Sequence, residues 1–97
     1  MGAAHTSTTA TIHIRLHVHA GAARVPTPTA EHGGIHPIPH GCIALVDIGH
    51  ATHIAEHDAH LLAGALTEAT HVDVVGTTEA VPAIRAAIAI ALDKATK

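Results

Sequence analysis

Twelve histidines stand against five Lys plus Arg in this sequence of 97 residues, and they are its most chemically capable side chains. His53, His57 and His60 follow one another at i, i+4 and i+7, so a helix through them stacks three imidazoles on one side, with Glu56 adjacent. Neutral imidazoles on one helical face bind Zn²⁺, Ni²⁺ or Cu²⁺. His53, His57, His60 and Glu56 are therefore the candidate metal ligands. His13, His17 and His19 share one side of an extended segment. Strand rise sets His17 and His19 about 7 Å apart, a span that an added ion bridges. The plainer reading has histidine filling exposed polar positions, with metal uptake adventitious. With so many in the chain, such spacings also arise by chance.

Other chemistry is sparse. Glu56 is the candidate catalytic acid; the alternative is a first-turn acid favoured by the helix dipole. Gly76-Thr77-Thr78 before a helix offers an anion its amides, but lacks the Gly-rich loop and Lys of a phosphate cradle, so a capping turn is preferred. Asp47 and Asp73 read as strand-end acids. Ser7 lies in the leader and Cys42 opens an apolar run, so neither forms a nucleophilic constellation.

The elements that must position these groups follow from periodicity. Ile12, Ile14, Leu16 and Val18 alternate with His13, Arg15, His17 and His19, which predicts a half-buried central strand over Thr11–His19. Pro26, Pro28, Gly33 and Gly34 mark a loop. Ile35–Ile38 reads as a short strand, irregular or at an edge because Pro37 and Pro39 lack ladder donors. Cys42–Ile48 is a continuous apolar run expected to be covered on both faces. Helical spacing begins near Ile54, with a stripe of Leu61, Leu62, Ala65, Leu66 and Ala69. Val72–Val75 is a further strand. A second helix follows, with Thr78 as N-cap, Pro82 in the first turn, and Val81, Ile84, Ile88 and Leu92 inward. The expected fold is α/β with a mixed sheet, in the order β-β-β-α-β-α. Met1–Ala10 reads as a loose leader and 11–97 as one domain.

Composition bounds the function. Phe, Tyr, Trp, Asn and Gln are absent, and both lysines fall in the last four residues. Such a narrow alphabet departs from natural usage and is the mark of an engineered or selected chain. A net charge of −3 with scattered cations argues against an electrostatic footprint for nucleic acid at neutral pH. No apolar run reaches membrane-spanning length, and the leader lacks the features of a signal peptide. A cytoplasmic location is expected on expression in a cell.

Three segments, in order, resemble a ribonuclease H domain. They are His19-Ala20-Gly21-Ala22-Ala23-Arg24 with Pro26-Thr27-Pro28 and Gly33-Gly34-Ile35; Gly49 to Glu56 with His57-Asp58-Ala59 and Leu61-Leu62-Ala63-Gly64; and Val74-Val75-Gly76-Thr77-Thr78-Glu79-Ala80-Val81. The resemblance spans roughly Thr11 to Ile90 and implies a ribonuclease H-like fold. It also implies Mg²⁺- or Mn²⁺-dependent cleavage of the RNA strand of RNA–DNA hybrids. Two metal ions need several converging anionic ligands. At the positions similar to the family's acids stand Ala20, Glu56 and Thr77, and the helix-preceding amide pair becomes Thr52 and His53. The chain stops before the family's last strands, terminal helix and final acid.

Val46-Asp47-Ile48-Gly49-His50-Ala51-Thr52-His53-Ile54, with the helix, Val72–Gly76 and Ala80-Val81, is also similar to the STAS domains of anti-sigma-factor antagonists, which bind partner proteins. Their phosphorylatable Ser is replaced by Glu56 and His57. The leading expectation is a reduced-alphabet ribonuclease H-like scaffold with little or no activity and no required cofactor. A weak hybrid nuclease keeping Glu56, and a His-rich metal- or partner-binding module, are the alternatives. A homodimer is expected through the row His13, Arg15, His17, His19, loosened when mild acid charges the histidines.

Overall fold

Alternation decides the first strands. Along residues 11–19 every even position is shielded and every odd one exposed, as the sequence requires. The segment is nevertheless two strands, β1 (Thr11–Arg15) and β2 (His17–His19). They part at Leu16, which is buried and donates its N–H to Asp47 O at 3.0 Å. β2 turns back into β3 (Ala22–Arg24) through Ala20-Gly21, and both turn residues have positive φ, 52° and 81°. This is the backbone of a tight two-residue hairpin.

The computed structural model describes residues 10–25 and 38–96. After β3 come β4 (Ile43–Asp47), β5 (His53–Ile54), α1 (Glu56–Leu66), β6 (His71–Val75) and α2 (Val81–Ala95). One sheet has the order β1-β4-β6, with both pairings parallel. The other, β2-β3-β5, is mixed: β2 and β3 run antiparallel, β3 and β5 parallel. The chain is thus α/β, with two helices among the described residues. The element order differs from β-β-β-α-β-α. β4, not the first strand, is central, because it pairs on both sides while β1 pairs only with β4 among the described residues. Residues 35–37 of the expected second strand lie outside the described ones. Ile38 is buried without being a strand residue.

Both helices pack on the same face of the parallel sheet. Leu62 and Leu66 of α1 join Ile84 and Ile88 of α2 over Ala44, Val46 and Val74. Ala59, Ala63 and Ala91 lie where the helices approach each other. With no aromatic ring, this core gains its cohesion from many small aliphatic contacts. The expectation that 42–48 is covered on both faces is corrected: Ala44 and Val46 are fully buried, while Ile43, Leu45 and Asp47 are only half-buried.

The helix ends are tied to the loops. Ala65 O, in the last turn of α1, accepts the Ile38 N–H at 2.8 Å, satisfying a carbonyl the helix leaves without a partner, and Glu68 O just beyond the helix accepts that of Gly41 at 3.1 Å. At the start of α2 the N-cap position is Ala80, not Thr78. Thr78 still serves the turn: its hydroxyl accepts the Ala80 N–H at 3.3 Å and donates to Ala51 O at 2.7 Å. From α2, Arg85 reaches the edge of β6, donating from Nη2 to Val74 O at 2.7 Å and pairing with Asp73 Oδ1 at 3.3 Å.

Candidate functional site

Three parallel strands end together at Arg15, Asp47 and Val75, and in open α/β sheets ligands sit beyond such carboxyl ends. Asp47 organises this end. Its Oδ1 accepts the Gly49 N–H at 2.8 Å, holding a turn in which Gly49 has φ +56°, and its Oδ2 lies 3.8 Å from Arg15 Nε. Gly49 O accepts both the N–H and the hydroxyl of Thr77, at 2.8 and 3.2 Å. The turn after β4 is thereby stitched to the turn after β6. Gly76 permits the approach: a Cβ there would stand 2.7 Å from Ile48 Cγ1 and 2.9 Å from Gly49 O.

The result is a cleft of about 470 Å³ lined by Arg15, His17, Asp47, Gly49, His50 and Thr77, with Leu16 and Val18 as apolar wall. Arg15 is 86% exposed and its pairing with Asp47 is long. A contact of that kind holds little energy, so the guanidinium is free to turn to a ligand. Arginine, two imidazoles and a hydroxyl can donate to an oxyanion, with Asp47 fixing the turn.

The residues singled out by spacing are placed differently. Glu56 is the first residue of α1, exposed, with Oε2 3.6 Å from His60 Nε2. His57 is exposed beside it. His53 does not join the helical stack, which corrects the i, i+4, i+7 reading. It belongs to β5, drawn to β3 by the pairing of Ala22 with His53 and by the Thr52 N–H on Gly21 O at 2.7 Å. Its Nδ1 lies 3.2 Å from Thr52 Oγ1. Among the described residues, no three His, Cys, Asp or Glu side chains are grouped so as to hold a metal ion. Ala20 occupies the β2–β3 hairpin turn and Thr77 lines the cleft.

No family model, no curated protein and no solved structure matches this chain.

Two acids carry more than the sequence reading gave them. Asp47, read as a bland strand-end acid, anchors the cleft; an acid closing an apolar run and followed by Ile-Gly was the available signal. Asp58 is 4% exposed, accepts the Val25 N–H at 3.1 Å and lies 3.5 Å from Arg24 Nε. It fastens the first turn of α1 to the end of β3. Its i, i+4, i+8 spacing with Leu62 and Leu66 already set it on the buried side of the helix.

Proposed function

We propose that this chain is a reduced-alphabet scaffold, ribonuclease H-like in plan, whose acids serve the fold rather than hydrolysis. The observation that carries this reading is where those acids are engaged. Asp58 holds Arg24 and the Val25 amide, Asp47 the Gly49 amide and Arg15, Asp73 pairs with Arg85, Glu68 with His40, and Glu56 with His60. Each pair lies at a different place in the fold, whereas two-metal phosphodiester cleavage needs several carboxylates converging on one spot. The test is incubation with an RNA–DNA hybrid in Mg²⁺ and in Mn²⁺. Cleavage should stay at background and be unchanged by Glu56→Ala. Turnover that disappears with Glu56→Ala would replace this reading with that of a weak metal-dependent nuclease.

The cleft at the carboxyl end of the sheet favours a second reading, a His-rich binding module for a small oxyanion. His17 and His50 lie beside Arg15 there, and three cationic or polar donors in one concavity suit such a group. Inorganic phosphate should shift the ring resonances of His17 and His50 in the wild type and leave them unmoved in Arg15→Ala. Unshifted resonances in the wild type would sink it.

A further inference from the structure

The face of the parallel sheet opposite the helices carries a pattern that matches itself. Register places three rows across it: Thr11, Ile43 and His71; His13, Leu45 and Asp73; Arg15, Asp47 and Val75. Ile43, Leu45 and Val75 join neither hydrophobic cluster among the described residues. The central strand therefore presents two half-buried aliphatic side chains, flanked by a histidine on one side and an aspartate on the other.

We infer that this face binds a second copy of the chain about a two-fold axis parallel to β4. Two sheets stacked face to face lie about 10 Å apart with their strands nearly aligned. A two-fold axis along β4 sets β1 of one copy over β6 of the other and keeps each row opposite itself. Ile43 and Leu45 then meet their own counterparts on the axis. His13 of each copy stands opposite Asp73 of the other, giving two symmetric pairs. The imidazole N–H donates to the carboxylate whether or not the ring is charged. Both contacts that the Asp73 side chain makes among the described residues use Oδ1, so Oδ2 is the oxygen that takes the incoming imidazole. Asp47 meets Asp47, a like-charge contact that weakens the pairing and is offset only in part by the Gly49 N–H that each carboxylate accepts. The other in-plane axis, perpendicular to the strands, would oppose His13 to His13 and Asp73 to Asp73. The first axis forms two His13–Asp73 pairs and the second forms none, which selects the first.

This contact differs from the expected row of His13, Arg15, His17 and His19, since His17 and His19 belong to the other sheet. It does not rest on the scaffold or cleft readings, although Arg15 and Asp47 belong both to the cleft and to this face. Three strands of five residues cover about 250 Å² in plan, well under the ~800 Å² per partner of a standard interface, so the dimer is a weak one.

Sedimentation velocity from about 10 µM to about 1 mM chain tests it, a range suited to weak association. The weight-average mass should rise toward twice the monomer. Leu45→Asp and His13→Asp should each keep the monomer mass throughout, with circular dichroism unchanged. His13→Asp combined with Asp73→His should restore the rise, because the charges are exchanged across the axis. A wild type that stays monomeric overturns the inference. So does a dimer that survives either single substitution, or a double variant that fails to recover it.

Discussion

The carboxylate of Asp58 lies 3.1 Å from the backbone nitrogen of Val25, thirty-three positions earlier in the chain, and both residues are buried. One side chain thereby satisfies an amide that the end of β3 leaves over and sets where α1 begins. Asp58→Ala strands that amide in an apolar setting and should cost about 1–3 kcal/mol in urea denaturation. Asp58→Asn keeps an acceptor and should recover much of the loss. Arg24→Ala removes only a half-exposed partner and should cost less than about 1 kcal/mol. Equal losses for Asp58→Ala and Asp58→Asn would show that charge, not the amide bond, matters there.

Leu16 stands where the chain leaves one sheet for the other and packs into the common core. Leu16→Ala should destabilise the fold by about 2–5 kcal/mol, as large-to-small core changes do. Amide exchange should accelerate in both β1 and β2. Acceleration confined to β2 would show that the two sheets open separately.

Two glycines should respond to alanine with opposite sign. Gly64 lies inside α1 with nothing within 4 Å of a built Cβ. Gly64→Ala should therefore stabilise by about 0.5–1 kcal/mol through helix propensity. Gly76→Ala meets Ile48 and the Gly49 carbonyl and should destabilise by about 1–3 kcal/mol. Thermal midpoints moving the same way in both variants would contradict the packing described at the carboxyl end of the sheet.

Ala20 is the one described non-glycine residue with positive φ, in a hairpin whose other turn residue is Gly21. Ala20→Asn makes the Asn-Gly pair that such turns prefer and should raise stability by about 1 kcal/mol. An unchanged melting temperature would count against this turn.

Much of the fold was legible. The alternation from Ile12 to Val18 told which side chains turn inward, and the stripe containing Leu62 and Leu66 told which side of α1 is buried. Period two says nothing about which strand lies alongside, so the break at Leu16 and the central place of β4 stayed hidden. An apolar run reads the same whether one face or two are covered, which is why Ile43 and Leu45 were expected to be buried. His53 was drawn into the helix by its spacing, but its pairing with Ala22 is non-local and leaves no periodic trace. The candidate site was legible least. Arg15, Asp47 and Thr77 come from three distant segments, and only the parallel register of the strands gathers them.

The reach of Arg85 over β6 has a consequence for self-association of another kind. Carbonyls along a strand point alternately to either side. Val75 O faces inward to take the Ile48 N–H, so Val74 turns its own groups to the outer edge. Both are occupied: the Val74 N–H by Asp73 Oδ1 at 2.9 Å and Val74 O by Arg85 at 2.7 Å. A foreign strand arriving there finds the docking points at Val74 already filled, by charged side chains that it would have to strip away. Unprotected edges are how sheets recruit one another into fibrils. In this chain a single arginine and its neighbouring aspartate obstruct that edge at Val74 and so hinder open-ended growth there.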